Sequence, residues 1–178
     1  NLTLAADENI TVNSNFTISS RSVLSDHLAG ASTGNSGNIT LIAPTITLGS
    51  MEGAGVKLLA NAINSDPLDT YTGGDITLTA NQASTWETLI SLADANASID
   101  VAGNLTGRNI TLEASIESSA SFGGTSGSIQ QQAVDLLQEG LPFAASLSYV
   151  EAKGNANITV RPTAVLAATE NITLTALA

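Results

Sequence analysis

The sequence predicts an all-β protein wound as a right-handed parallel β-helix, and three observations carry that expectation. A four-residue phrase, Asn/Asp–apolar–Thr–apolar, returns along the chain as NLTL at Asn1, NITV at Asn9, NFTI at Asn15, NITL at Asn38, DITL at Asp75, NITL at Asn109, NITV at Asn157 and NITL at Asn171. Turn-forming residues bracket nearly every copy, as in Ser36-Gly37-Asn38, Ala43-Pro44, Gly73-Gly74-Asp75 and Gly107-Arg108-Asn109. Neither Asn-Gly nor Asp-Gly, the strongest hairpin signals, occurs anywhere. Chemistry needs unique groups in unique places, whereas a phrase this frequent marks a structural unit stacked many times.

Each phrase justifies one strand. Period-two alternation puts the two apolar residues of NITL on one face and Asn and Thr on the other, so each copy is a half-buried strand of about four to six residues. The close spacings, Asn1 to Asn9 to Asn15, Asn38 to Thr45, Asn104 to Asn109 and Asn157 to Asn171, read as successive sides of one turn of the winding. The long spacings, Asn38 to Asp75 and Asp75 to Asn109, read as a full turn plus an excursion. With repeats of roughly 20–35 residues the chain would hold about six to eight turns, a rod of roughly 30–40 Å.

Three stretches depart from the phrase, near 21–37, 51–74 and 122–142. The first is polar and carries His27, the only histidine. The second contains a strand-like run, VKLLANAI, before the turn-rich NSDPLDTYTGG. In the third, Ile129, Ala133, Leu136 and Leu137 recur at helical spacing, and Gly140 with Pro142 supplies a stop, so one short helix is expected there. No interdomain linker is evident; residues 1–178 read as a single β-helical unit, and both ends fall inside a repeat phrase as if cut from a longer protein.

Composition agrees with stacked flat layers. The 178 residues are 43% apolar but only 3% aromatic, so Ala, Val, Ile and Leu must build the core. Charged residues make up 12%, about half the usual share. The net charge of −11 argues against nucleic acid and against a basic patch on anionic membrane. Without cysteine there is no disulfide frame, thiolate metal site or cysteine nucleophile. No apolar run approaches the ~18 residues of a membrane span.

Candidate sites divide into chemistry and decoration. His27 lies beside Asp26 with Ser22 and Ser25 nearby, but no nucleophile elbow or oxyanion loop accompanies them, and His27 reads as an exposed loop residue. Asp66, Asp69 and Asp75 flank a turn and match no calcium-loop pattern, so they read as turn formers. Asp75, Asp100 and Glu113 lie near strands, where acids on adjacent turns could serve glycoside hydrolysis, yet neither an aromatic platform nor a cationic cluster joins them. Thr-x-Thr pairs start at Thr45, Thr77 and Thr173, spaced too irregularly for a flat water-ordering face. Trp86 and Tyr71 are the candidates for sugar stacking, with core packing equally open for Trp86. Nine Asn-x-Ser/Thr triplets occur, and Asn9, Asn38, Asn109 and Asn157 are carried as candidate glycosylation acceptors, although the triplet falls out of the repeat phrase itself. The chain therefore reads as non-enzymatic, with no catalytic set, metal or cofactor.

The stretch STGNSGNITLIAPTITLGS, the following GVKLLANA, and GGDITLTA together resemble the passenger rods of filamentous-haemagglutinin-like bacterial adhesins. That resemblance covers essentially the whole chain but rests on repeat style. It implies a right-handed parallel β-helix, export through an outer-membrane transporter by the two-partner route, and a place on the surface of a Gram-negative cell. It further implies attachment, aggregation or biofilm formation, with a host glycan, a matrix protein or a second copy as partner. The family's secretion-domain motifs are missing, so the piece would come from the interior or distal rod. Two competing readings are a polysaccharide-degrading β-helix enzyme and a spacer with no ligand.

Overall fold

Eleven strands account for the regular structure among the described residues: β1 (Leu2–Ala5), β2 (Asn9–Val12), β3 (Thr17–Ser19), β4 (Ile39–Ile42), β5 (Thr45–Leu48), β6 (Lys57–Leu59), β7 (Ile76–Thr88), β8 (Ile90–Val101), β9 (Asn104–Phe122), β10 (Tyr149–Val160) and β11 (Val165–Leu177). The structure is a computed structural model that describes residues 1–12, 16–20, 35–49, 55–62, 72–88, 90–122 and 149–178. The protein is all-β, with no helix among the described residues. The short helix expected around Ile129 to Leu137 lies outside them, and no described helix is long and apolar enough to cross a membrane.

All pairings between described strands are parallel. One sheet has the order β1-β4-β7-β9-β6-β3, with β11 also on β9; the second runs β10-β8-β5-β2. Strand β9 bends the first sheet: its start, Asn104 to Thr106, pairs with β6, and its continuation from Ile110 pairs with β7. That sheet consequently curls.

Register sets the core. Leu2, Ile39, Ile76, Ile110 and Ile172 occupy equivalent positions in five successive strands, as do Leu4, Leu41, Leu78, Leu112 and Leu174. Ile10, Ile46, Ile99 and Ile158 form a matching column in the second sheet, and Ile18, Leu58, Leu105 and Leu166 another at the far end of the first. Side chains in the middle of these columns are fully buried, Ile39, Leu78 and Leu112 at 0% exposure among them. The aliphatic residues of the phrase therefore face inward, as alternation predicts. At the two ends the same columns open, Leu4 to 39% and Leu174 to 49%. Each fully buried aliphatic contributes about 1.5–3 kcal/mol over its exposed state.

Two dimensions differ from the sequence expectation. Equivalent residues recur after 37, 37, 34 and 62 positions, so among the described residues the longest column holds five strands, against the six to eight turns expected. At about 4.8 Å per strand the stack rises roughly 20 Å. The second difference is strand length. β7 to β11 run to 12–19 residues, because β7 and β9 continue beyond the core in register, Ala80 opposite Ala114 through Thr88 opposite Phe122, while β8 and β10 do likewise from Ile90 and Tyr149.

These extensions face each other through small residues. Ala93, Ala95 and Ala97 are buried, the Ser118 hydroxyl donates to the Ala93 carbonyl at 3.1 Å, and the Asn96 backbone N–H donates to Gln82 Oε1 at 2.6 Å. Ile116 sits where a side chain on Gly154 would be, its Cδ1 only 1.9 Å from an ideal Cβ.

Leu78→Ala should cost about 2–5 kcal/mol in urea unfolding, as for other buried leucines. Leu174→Ala, in an open end strand, should cost only about 1 kcal/mol. Gly154→Val should displace Ile116 and destabilise by about 1–3 kcal/mol, with slowed hydrogen exchange lost in the outgrowth before the core.

Candidate functional site

At the corner where the chain enters β1, β4, β7 and the second half of β9, Asn1, Asn38, Asp75, Asn109 and Asn171 stack in one column. Asn1 Oδ1 accepts the Asn38 N–H at 2.9 Å, and Asn38 Oδ1 accepts the Asp75 N–H at 2.9 Å. Asn109 Nδ2 donates to Asp75 Oδ1 at 3.0 Å, and Asn171 Nδ2 donates to Asn109 Oδ1 at 3.1 Å. The first residue of the repeat phrase thus ties strand to strand through its amide, which explains why Asn rather than another turn former recurs there.

Asp75 is the one acid in this column, and Arg108 answers it. Arg108 Nε donates to Asp75 Oδ1 at 2.9 Å and Nη2 donates to Oδ2 at 2.7 Å, a two-pronged clamp. The Arg108 guanidinium holds the Asp75 carboxyl below the usual carboxylate range; partial burial opposes this, and the Asn109 amide adds to it. The carboxylate raises the Arg108 pKa in return, with Glu170 adding a weaker attraction. A second clamp joins the other sheet: Arg161 Nε donates to Asp100 Oδ1 at 2.7 Å and its Nη2 to Oδ2.

Immediately before the column, equivalent positions carry Gly37, Gly74, Arg108 and Glu170. Gly74 has no room for a side chain, since a Cβ there would lie 2.1 Å from the Gly37 carbonyl oxygen. Beside these glycines the surface recedes into a bay of about 280 Å³, lined by Asn61, Thr72, Gly107, Arg108, Thr169 and Glu170 among others. Among the described lining residues, Arg108 and Glu170 carry the charges.

The structure sorts the sequence candidates. Asn38 and Asn109 spend their amides in the ladder, whereas Asn9 and Asn157 lie exposed in the other sheet, in a column with Thr45 and Ser98. Asn157 Nδ2 donates to Thr159 Oγ1 at 3.3 Å. Asp75 and Glu113 belong to the first sheet and Asp100 to the second, so the three acids do not meet on one face. His27, Asp26, Ser22, Ser25, Asp66, Asp69 and Tyr71 lie outside the described residues. Among the described residues no cluster of His, Cys, Asp or Glu is placed to hold a metal ion.

The Thr-x-Thr pairs do not share one face, since the pair at Thr45 lies in the second sheet and those at Thr77 and Thr173 in the first, but single threonines do form a column. Thr3, Thr40, Thr77, Thr111 and Thr173 align in one outward column, because excursions between strands leave the register untouched. The neighbouring outward column is mixed, running Ala5, Ile42, Thr79, Glu113 and Thr175. Sequence reading missed the Arg108–Asp75 and Arg161–Asp100 clamps; the available signal was that Arg108 stands immediately before one phrase and Arg161 immediately after another. In comparisons with known proteins, no family, no curated sequence and no solved structure matches this chain.

Because the Asp75 pKa is lowered in the folded state, its contribution to stability is present above the ordinary carboxylate range and lost as pH falls through that range towards the lowered value. Thermal melts between pH 7 and pH 3 should show Asp75→Asn losing less stability on acidification than the parent chain.

Proposed function

We propose that this chain is a segment of an extracellular rod of the filamentous-haemagglutinin-like adhesin type, wound as a right-handed parallel β-helix. The observation that carries the reading is the common register of the aliphatic, threonine and asparagine columns across insertions of very different length. A frame of that kind grows by adding strands on its ends and tolerates loops at its turns, which suits projection from a cell and display along the way. On this reading the excursions near 21–37, 51–74 and 122–142 are the display elements, and attachment, aggregation or biofilm formation is the outcome. The Gram-negative cell surface is its place and an outer-membrane transporter its export partner.

The reading is non-enzymatic. In support of it, Asp75 and Asp100, two of the three acids that the sequence offered for glycoside hydrolysis, are each clamped by an arginine and stand on different sheets.

Replacing residues 123–148 with a short Gly/Ser linker should leave far-UV circular dichroism and the melting transition near those of the parent. Adhesion of beads coated with the chain to cells should fall several-fold. If beads carrying chains with all three excursions replaced adhere as well as the parent, display by loops is wrong.

A further inference from the structure

We propose that the outgrowth is a pairing surface for a second copy of this chain, joined strand edge to strand edge about a two-fold axis. The proposal stands on the pairing pattern and does not depend on the display reading.

The outgrowth overhangs a step. Beneath it the chain passes between the sheets at once, through Ala6-Asp7-Glu8 from β1 to β2 and through Ala43-Pro44 from β4 to β5. β7 and β8 instead run on together through residues 80–88 and 90–97, an overhang of roughly 30 Å at about 3.3 Å per residue. Both short turns lie among the described residues. The residues outside that set join β2 to β3, β3 to β4, β5 to β6 and β6 to β7, form the tip at Leu89, or link β9 to β10 on the level farther from the step.

Along the underside of the overhang the strand edges have no partner strand among the described residues. β4 pairs with β7 only as far as Ile42 opposite Thr79, and β5 pairs with β8 only from Thr45 opposite Ser98. The Thr79 carbonyl accepts the Ala43 N–H at 3.1 Å, and the Ser98 N–H donates to the Pro44 carbonyl at 2.9 Å. Alternate residues of a strand direct their backbone groups to the same side. Asn81, Ala83, Thr85 and Glu87 of β7 therefore turn theirs to the open edge, as do Ile90, Leu92, Asp94 and Asn96 of β8. Gln82 Oε1 already fills the Asn96 N–H at 2.6 Å, which marks the inner limit of the free edge on β8. Neither lysine nor proline, the usual guards of an open edge, stands in residues 80–97.

Shape selects the occupant. The underside is two strand edges wide, one from each sheet, so a single extended peptide fills half of it. Among the described residues the step is two strands deep, β4 with β1 and β5 with β2, and the outgrowth is two strands thick, β9 with β7 and β10 with β8. A second copy, turned over, lays its own outgrowth in this step and receives this one in its own. Such a contact is isologous and closes as a dimer. Ser118 pairs with Ser84, and its hydroxyl donates to the Ala93 carbonyl at 3.1 Å, so Ser84 and Ala93 lie across the outgrowth from each other. With the axis passing these two residues the new pairing is antiparallel. Ala83 then meets the partner's Thr85, Glu87 meets the partner's Asn81, and Asp94 meets the partner's Leu92, so neither acid faces its own copy. Two strips of edge make a small interface, and the dimer should be weak, with Kd on the order of micromolar.

The test is analytical ultracentrifugation of the 178-residue chain from micromolar to millimolar concentration. Ala83→Pro and Thr85→Pro each remove an N–H that faces the open edge and leave the ladder to β9, made by the alternate residues, in place. Ala83→Lys/Thr85→Lys keeps the backbone and sets lysine against lysine across the axis. Asn155→Lys, exposed on β10, is the control. The expected result is a monomer–dimer equilibrium, with hydrogen exchange at the Ala83 and Thr85 amides slowed in the dimer. Either proline variant and the double lysine variant should raise Kd about tenfold or more with circular dichroism unchanged, while Asn155→Lys dimerises like the parent. The proposal is overturned if the chain stays monomeric throughout, if it forms open-ended assemblies in place of a closed dimer, or if the folded double lysine variant dimerises as tightly as the parent.

Discussion

Parallel strands stacked in register, with one aliphatic column above another, are the constraint on which the rest of this protein depends. A slip of one residue in any strand would turn its Ile and Leu outward and its Thr and Asn inward. Register is therefore protected by the burial of every middle column at once. The consequence is visible in the pairings, where strands separated by 34 to 62 positions still bring equivalent residues together. Gly37 and Gly74 illustrate how closely the backbones approach there, closer than any β-carbon would permit. Backbone bonds between successive strand entries repeat this pattern: the Leu2 N–H donates to the Asn38 carbonyl at 2.8 Å and the Ile39 N–H to the Asp75 carbonyl at 2.9 Å.

Polar ladders do for the corners what aliphatic columns do for the interior. The amides of Asn1, Asn38, Asn109 and Asn171 satisfy neighbouring strands where regular pairing begins. An acid in such a column would repel nothing but would leave a charge half out of water, and the two-pronged arginine compensates for it. The same solution appears at Asp100, whose partner Arg161 follows directly on β10, the next strand of the second sheet. Both clamps join the third strand of a column to the fourth, and this is the level at which β7 to β10 extend beyond the core. The charged contacts and the outgrowth thus share one level of the stack.

A frame stabilised by repetition separates support from recognition. Its core columns can be read as interchangeable, whereas the residues before each phrase differ in every copy, Ser36-Gly37, Gly73-Gly74, Gly107-Arg108 and Thr169-Glu170 in succession. Variation at one corner of a fixed frame is a physical route to a binding surface that leaves stability intact.

Strand positions and facing were legible in the sequence because alternation acts locally: Ile39 and Leu41 point inward for the same reason in any half-buried strand. The preference for Asn before each strand was legible too, although its ladder was not. Which residues share a column was decided by tertiary structure alone, since Asn109 and Asn171 meet across 62 positions and no local rule measures that distance. Thr3, Thr40, Thr77, Thr111 and Thr173 seemed scattered for the same reason. The long extensions of β7 to β10 were hidden because Ala, Ser and Gly carry weak strand propensity, and only a facing sheet with equally small residues makes a strand of them. The arginine clamps depend on which turns become neighbours. The sequence by itself determined that aliphatic strands would stack, through alternation within each phrase; the fold decided how many, how far they extend and which charges meet, because those follow from contacts between residues far apart in the chain.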